Sequence, residues 1–576
     1  MIMKRGREPR VRSVLSLAVG LMLAACGGQD SSGPNGTNNG LAPGQGSVLS
    51  ATAPLTLEGG TTGTENVLVL VDTGLSSISA KVSYSVTATG TGAAGAVSAP
   101  ATSLVPLTDV GPSATRSESP TSGAPVLDIG YGMRLNARNR ARFANGFRAA
   151  RSAFRSGTAL PPGMSRSVSV ADPQIGDIFT VNVGQEPCSP SVSRAARVVA
   201  ISNQAIVLSD TLNPKGGFST ADYQRFAVRF DTLVYPLDVA NFGAPADIDK
   251  NKKIILLFTT AVNELTPRNS TSYVAGFFFD RDLFPIADTP DFQGCAGSNF
   301  GELFYLLAPD PTGLINGNVR QTAFVDSVTT SVLAHEFQHL INASRRLYVT
   351  QGVESFEDTW LNEGLSHIAE ELLFLHEAGL SPRQNIDTIL IRSTNAIRTA
   401  FNVDQASNAS RYRTFLVAPS DNSPFRDDDS LETRGATYNL LRYLADRKGG
   451  TDAATWQALV NTSKTGLANL SSVFGSDIAA KERDWNISHY TDDVVPGLPA
   501  EWTQPSWNWH SVFKALAGTG KTYPLEVKTL TTGTPASGTL IGGAAAYYRF
   551  SVPANASASL TLTGPGPIDA RVIRLR

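Results

Sequence analysis

The sequence is poor in cysteine and charged residues, and its charges are nearly balanced. It has 3 cysteines among 576 residues, and no Cys-x-x-Cys pair that would indicate a cysteine metal site. With 48 Lys and Arg against 50 Asp and Glu, the net charge of −2 gives no reason to expect a nucleic-acid partner. Charged residues make up only 17 %, whereas 51 glycines and 33 prolines are typical of an exported, strand-rich protein.

The apolar run near the N-terminus, residues 14–25, is too short to span a membrane. It follows a basic stretch and ends in the tetrapeptide LAAC at residues 23–26, which together predict a signal peptide. LAAC resembles the lipobox of bacterial lipoproteins, which implies cleavage before Cys26 and a lipid anchor on that residue. Gly27 and Gly28 after it favour the outer membrane by the same resemblance. The alternative is an ordinary signal peptide and a secreted protein.

A metal site is predicted by the motif His-Glu-x-x-His at His335, Glu336 and His339. The surrounding residues 331–341 contain apolar positions at helical spacing and no Gly or Pro, so a helix is expected here. Two histidines four apart lie on one face of a helix, where both rings can bind one metal ion. Glu336 is next to them and is placed to take a proton from water at the metal.

A catalytic zinc site usually has three protein ligands, and Glu363 in the segment WLNEG is the predicted third. Glu363 opens a second amphipathic run, so it can point from a neighbouring helix at the two histidines. Glu370 lies seven residues later on the same face and is expected to hydrogen-bond the outer nitrogen of a ligand histidine. His367 either faces the site or is a partly buried surface histidine, which is the more common case.

Three segments resemble the hyicolysin-like family of bacterial zinc metallopeptidases: HEFQH, WLNEGLSHIAEE and GATYNLLRYLADR. More distantly they resemble the gluzincin clan, which includes thermolysin and aminopeptidase N. The resemblance covers residues 172–516 and implies a peptidase with one Zn²⁺ per chain, with Glu363 as third ligand. It also implies an α+β fold, in which a zincin-type catalytic unit combines a mixed strand lobe with a helical lobe. By the same resemblance Tyr438 is expected to donate a hydrogen bond to the oxyanion.

The composition changes along the chain and predicts several domains. Small β domains are expected on both sides of the catalytic unit, because alternating segments such as AKVSYSVTAT and ASLTLTG lie between Gly-rich turns. Three interpretations are open for the Arg-rich segment of residues 131–155: a basic surface helix, part of a prosegment, or a contact for anionic surfaces. The predicted order is a lipoprotein signal peptide (1–25), a flexible tether (26–47), an N-terminal β domain (48–125), an Arg-rich helix and linker (126–171), the catalytic domain (172–516) and a C-terminal β domain (517–576).

Within the catalytic domain, a strand-rich half precedes the two metal helices. The resemblance to the gluzincin clan implies that residues 302–307, ELFYLL, form the strand that edges the cleft, where a substrate could add as a further strand. Residues 247–251, DIDKN, look like half of a calcium loop but lack its central Gly and closing Glu, so a turn is favoured. Residues 395–431 are expected to be a polar loop.

Cys188 and Cys295 are left after Cys26, and an even pair in an oxidising compartment is a candidate disulfide. Two separately buried thiols are the alternative.

These observations predict a lipid-anchored zinc metallopeptidase of the bacterial cell envelope that acts on proteins or peptides. An endopeptidase is favoured, because the GxMEN-type stretch with which aminopeptidase N binds a free N-terminus is not visible. The alternatives are an aminopeptidase of the same clan and a catalytically silent surface protein on a zincin scaffold. The presence of Glu336 argues against the silent protein, since a pure scaffold would tolerate its loss.

Overall fold

A mixed α+β fold brings the three predicted metal ligands together, which confirms the predicted fold class at this level. The structure, a computed structural model, describes residues 40–92, 126–127, 131–132, 134–136, 173–189, 192–270, 272–288, 294–516, 522–564 and 566–576. No helix in these ranges is both long enough and apolar enough to cross a membrane. The signal peptide and Cys26 lie outside the described residues.

In the described part of the chain, the strands lie before residue 308 and after residue 527. The strands are Gly46–Val48 (β1), Leu55–Glu58 (β2), Thr64–Asp72 (β3), Val82–Thr89 (β4), Val126–Leu127 (β5), Ile178–Asn182 (β6), Ser193–Ile201 (β7), Ala205–Asp210 (β8), Ile254–Thr259 (β9), Ser272–Tyr273 (β10), Gly276–Phe278 (β11), Leu303–Leu307 (β12), Lys528–Thr529 (β13), Ala536–Leu540 (β14), Ala545–Val552 (β15), Ser557–Thr563 (β16) and Ile568–Arg574 (β17).

The α-helices from residue 220 onward are also numbered in chain order. They are Thr220–Arg229 (α1), Tyr235–Phe242 (α2), Thr260–Glu264 (α3), Thr322–Tyr348 (α4), Thr359–Ala378 (α5), Thr388–Arg392 (α6), Asn395–Ala400 (α7), Ala406–Leu416 (α8), Leu431–Lys448 (α9), Asp452–Val460 (α10), Gly466–Phe474 (α11), Ile478–Thr491 (α12) and Trp509–Ala515 (α13). Short π-helical turns at Phe230–Val234 and Phe401–Gln405 and 3₁₀ turns at Asp280–Leu283 and Ala500–Trp502 connect some of them.

The sheet that carries the site has the strand order β11-β12-β9-β8-β7-β6. β8, β9 and β12 run parallel, β11 pairs antiparallel with β12, β7 with β8, and β6 with β7. Every residue of β12 is buried, as expected for a strand covered on both faces. The prediction that residues 302–307 form the edge strand is therefore wrong, because β11 continues the sheet beyond them and is itself the edge.

Helix α4 packs through aromatic contacts on β12 of this sheet and on the helical segment of residues 230–242. The Phe337 ring lies against Phe230, Tyr235 and Phe304, with ring centroids 5.2, 5.4 and 6.2 Å away. A Cβ at Gly276 of β11 would come within 2.8 Å of Val332, so only a glycine allows α4 to approach this closely. The opposite face of α4 turns its two motif histidines towards α5.

The two flanking β domains of the prediction are one β-sandwich. β3 pairs with β15 and β17 near the C-terminus, and β4 pairs with β14 and β16. The two sheets, β1-β17-β3-β15-β13 and β14-β4-β16-β2, enclose a shared apolar core. The sequence pattern predicts which face of each strand is buried but not its partner, so the division into two domains was wrong.

Two other predicted segment boundaries also change. The end of the predicted tether is part of the sandwich, since β1 pairs with β17 and the Gly44 N–H donates to the Arg574 carbonyl at 2.8 Å. The polar loop predicted for residues 395–431 is largely helical. Its apolar residues Tyr412, Phe415 and Leu416 in α8 are fully buried, although polar residues separate them from the other apolar positions.

The sulfurs of Cys188 and Cys295 are bonded to each other in the structure, between the loop after β6 and the loop before β12. We predict that an unreduced digest of the protein shows the two linked peptides by mass spectrometry. Replacing both cysteines with serine is expected to lower the free energy of unfolding by about 2–5 kcal/mol, because the unfolded chain is no longer constrained. Labelling of both thiols in native, unreduced protein would contradict the pairing.

Candidate metal centre

Helix α4 presents His335 and His339 to α5, where Glu363 faces them. The Nε2 atoms of the two histidines are 3.1 Å apart. Glu363 Oε2 is 3.7 Å from His335 Nε2, and Glu363 Oε1 is 3.5 Å from His339 Nε2. Ligands held 2.0–2.1 Å from a tetrahedral zinc ion are about 3.3 Å from one another. The three side chains therefore surround a space of the right size for one zinc ion.

The hydrogen bonding of this cluster also fits a cation. All three side chains are almost completely buried, yet neither oxygen of Glu363 accepts a hydrogen bond. Two ring nitrogens at 3.1 Å cannot both direct lone pairs at each other without a proton or a cation between them. A metal ion at the centre would satisfy both histidines and the Glu363 oxygens at once.

Arg434 on α9 holds the Glu363 carboxylate in its ionised form. Its Nη1 lies 3.3 Å from Glu363 Oε2, and its Nε donates to Asp429 Oδ1 at 2.9 Å. Burial opposes ionisation of Glu363, but Arg434 and the two histidines outweigh it and lower the pKa of this carboxyl below its usual value. Burial lowers the pKa of His335, which keeps its ring neutral. Glu363 and His335 are thus in the protonation states that a metal requires.

Glu370 binds the outer nitrogen of His335, at the position that the helical spacing predicts. Its Oε1 lies 2.7 Å from His335 Nδ1, which fixes Nδ1 as the protonated nitrogen and leaves Nε2 free for a metal. Burial opposes ionisation of Glu370, but His367 and Arg411 lower its pKa well below the usual value. The Nη1 of Arg411 is 3.4 Å from Glu370 Oε2.

His367 is completely buried beside the centre, so the surface alternative for this residue is wrong. Its Nδ1 is 3.2 Å from Glu370 Oε1, and its Nε2 is 3.8 Å from Glu363 Oε2. His335, His367 and Glu370 also form a cluster compact enough for a metal. However, Glu370 already engages the Nδ1 atoms of both rings, so we assign the metal to the first cluster.

Glu336 belongs to α4, and its side chain reaches the edge strand β11. Its Oε2 accepts a hydrogen bond from the Phe278 N–H at 2.9 Å, which fixes the carboxylate beside the two histidines. Burial raises the pKa of Glu336, while His335 and His339 partly offset this effect. The carboxylate is thereby placed at the side of the metal centre that faces the sheet edge.

Tyr438 does not reach this centre, and its predicted role as oxyanion donor is wrong. Its hydroxyl donates to Glu371 Oε1 at 2.8 Å and accepts from Gln405 Nε2 at 2.6 Å, in a fully buried position. Glu371 also binds Arg442, at 2.6 Å, and the Trp507 ring N–H, at 2.7 Å. Tyr438 therefore belongs to a buried network that joins α5 to α9.

Two glycines bring these helices close enough to assemble the site. A Cβ at Gly364, next to Glu363, would come within 2.5 Å of Thr437 on α9. A Cβ at Gly435 would come within 2.2 Å of the Arg411 backbone on α8. This packing delivers Arg434 and Arg411 to the centre. No motif or short spacing in the sequence pointed to either arginine.

The outward edge of β11 borders the centre and is covered by a short upstream segment. Because the Leu307 N–H donates to the Ala275 carbonyl, the N–H and C=O groups of Phe278 point away from β12. The side-chain amide of Asn136 donates to the Phe278 carbonyl at 3.2 Å and accepts from the Asp280 N–H at 3.1 Å. Asn136 thus imitates the peptide group of a strand paired with this edge.

Comparison with known proteins is consistent with these features. No protein-family model matches the chain. Over 229 residues the chain is 28 % identical to the neutral metalloprotease ShpI of Staphylococcus hyicus. The matched region covers 38 % of this chain and 48 % of that protein, so it spans about half of the relative's length. This similarity supports a relationship to metallopeptidases.

Proposed function

We propose that the protein is a zinc-dependent peptidase of zincin type, and specifically an endopeptidase. The observation that carries the proposal is the convergence of His335, His339 and Glu363 within 4.8 Å of one another, with Glu336 beside them. Zinc bound by the three ligands supplies Lewis-acid polarisation of a peptide carbonyl and acidifies a water molecule. The similarity to a neutral metalloprotease supports the same reaction class.

The side chains around the ligands have separate roles in this proposal. Glu336 accepts the proton of the attacking water on a carboxylate oxygen and delivers it to the leaving amine nitrogen. The Phe278 N–H keeps that carboxylate in place, since it binds Oε2 at 2.9 Å. Glu370 fixes the tautomer of His335, and Arg434 keeps Glu363 ionised.

An extended substrate fits the edge of β11 best. The outward-facing carbonyl of Phe278 is next to Glu336, which binds the N–H of the same residue, so a chain paired with this edge through the carbonyl would pass the metal centre. A binding edge of this kind accepts the middle of a polypeptide and requires no free terminus, which supports an endopeptidase.

Hydrolysis of casein by the purified protein, with and without a zinc chelator, tests the peptidase. Cleavage that the chelator abolishes and added zinc restores is the expected result. Peptides blocked at the N-terminus are expected to be cleaved as readily as free ones. Activity on free N-termini alone would indicate an aminopeptidase, and no cleavage in the zinc-loaded protein would favour a silent binding protein.

Replacement of Asn136 with alanine tests the proposed substrate edge. A substrate strand must displace the Asn136 amide from Phe278 and Asp280, so its loss is expected to lower KM for a long peptide by about 2- to 10-fold, with kcat unchanged. Asn461, an exposed asparagine at the end of α10 that accepts a hydrogen bond from Arg345, provides a matched control, and Asn461→Ala is expected to leave KM unchanged. An unchanged or higher KM in Asn136→Ala would place substrate elsewhere.

We further propose that the protein is anchored to the bacterial outer membrane by lipid on Cys26. The support is the basic stretch, the short apolar run and the LAAC sequence at residues 23–26. We predict that the wild-type protein incorporates labelled fatty acid and that Cys26→Ser moves it from the membrane fraction to the soluble fraction. If wild-type protein takes up no label, the segment is an ordinary signal peptide and the protein is secreted.

A further inference from the structure

A second cluster of carboxylates lies outside the metal centre. Oxygen atoms of Asp247, Asp249 and Glu302 all lie within 4.8 Å of one another. Asp247 and Asp249 belong to the loop before β9, and Glu302 immediately precedes β12. Oxygen ligands bind calcium at 2.3–2.6 Å, so two ligands of one ion are separated by at most about 5 Å. The spacing of the cluster matches the coordination shell of one calcium ion.

Glu302 is the observation that distinguishes this cluster from an ordinary acidic surface. Its side chain is buried, with 1 % of the residue exposed. Oε1 accepts the Ile248 N–H at 2.7 Å, but Oε2 has no hydrogen-bond partner. A buried carboxylate oxygen without a partner is costly, and it is even more so beside two other carboxylates. A cation among the three groups would remove this cost.

The electrostatics of the cluster support the same conclusion. Burial and the neighbouring Asp249 raise the pKa of Glu302 well above its usual value. Burial and Asp247 raise the pKa of Asp249 to about 7, and Lys250 offsets only a small part of this shift. The cluster therefore lacks sufficient positive charge from the protein itself. A bound divalent cation would supply it.

We propose that Asp247, Asp249 and Glu302 bind one calcium ion. The ligands are all carboxylate oxygens, which suits a hard cation and not zinc. The DIDKN loop lacks the closing Glu of a continuous calcium loop. Glu302, just before β12, supplies that carboxylate instead. The ion joins the loop to the start of β12, which pairs with the edge strand β11. It thereby stabilises the sheet on which the metal centre is built.

Calcium binding is tested on the full chain, loaded with zinc and freed of calcium. Calorimetric titration with calcium chloride is expected to show one ion per chain, with a Kd of about 10⁻⁴–10⁻³ M. Calcium at about 100 times that Kd, within solubility limits, is expected to raise Tm by roughly 3 °C or more, and magnesium at equal concentration by less. No heat and no Tm shift at about 10 mM calcium would overturn the proposal.

Two variants locate the ion. Glu302→Gln and Asp249→Asn are each expected to weaken calcium binding by at least about 10-fold, because each removes one charged ligand. In calcium-free buffer near pH 8, the Tm of Glu302→Gln is expected to be no lower than that of the parent, since glutamine can still accept the Ile248 N–H and carries no charge. A purely structural role would lower Tm both with and without calcium. Calcium affinity equal to that of the parent in both variants would overturn the assignment.

Glu482 provides the matched control. It is also fully buried with an unpartnered Oε2, but it belongs to no carboxylate cluster among the described residues. Glu482→Gln is therefore expected to keep the calcium-induced rise in Tm and the parental Kd. Because binding and Tm are measured without a substrate, the outcome does not depend on whether the protein is a peptidase.

Discussion

Replacing Glu336 with glutamine is expected to reduce peptidase turnover by about 100-fold or more, while zinc content and Tm stay near those of the wild type. Glutamine keeps the size of the side chain and an oxygen that can accept the Phe278 N–H, now found 2.9 Å from Oε2. It cannot accept the proton of the attacking water. The measurements are kcat on a casein-derived peptide, zinc by elemental analysis and thermal unfolding.

Glu377→Gln serves as the control for this substitution. Glu377 lies on α5, is partly exposed and pairs with Arg229 at 3.3 Å, so turnover is expected to be unchanged. Loss of zinc from Glu336→Gln would make Glu336 a structural residue. Full zinc with undiminished turnover would place the proton acceptor elsewhere in the chain.

The second large effect is expected at Glu363. Glu363→Ala removes one of three ligands, and zinc affinity is expected to fall by ~100-fold or more, beyond the 10–100-fold that loss of a supporting group typically costs. Competition with a chromogenic chelator measures the affinity. Glu370→Gln, which only weakens the support of His335, is expected to give the smaller loss.

Glu363→Gln separates ligand loss from instability. Truncation to alanine leaves Arg434 with Asp429 as its carboxylate partner, so part of any change reflects a buried charge. Glutamine fills the same space and also removes the anionic ligand, and it is expected to lose zinc affinity with a smaller change in Tm. If both variants keep full zinc occupancy, His367, whose Nε2 is 3.8 Å from Glu363 Oε2, is the third ligand.

The local part of the site was predictable because it depends on helical spacing. His335 and His339 are four residues apart, and Glu363 and Glu370 are seven apart on the next helix, so their shared faces follow from 3.6 residues per turn. The structure brings His335, His339 and Glu363 together and places Glu370 against His335 Nδ1. His367 has the same regular spacing, yet its burial was missed because spacing alone does not say how deeply a helix is covered.

The groups that come from distant segments were not predictable. Arg434 and Arg411 reach the centre because α9 packs closely against α5 at Gly364 and against α8 at Gly435. Tyr438 was misplaced for the same reason, since a resemblance in one segment does not give the rotation of its helix about its axis. Asn136 covers the edge of β11 from a segment whose sequence pattern suggested a basic surface helix.

The sequence by itself determined the mixed α+β class, the two helices that carry the motif residues, and the choice of His335, His339 and Glu363 as candidate metal ligands, because these follow from short-range periodicity and residue chemistry. Only the tertiary structure decided which strand forms the cleft edge, that the two terminal β segments form one sandwich, and that Glu302 joins Asp247 and Asp249. Strand alternation and residue type specify a buried face or a ligand atom. They do not specify the partner, which is fixed by packing between residues far apart in the chain.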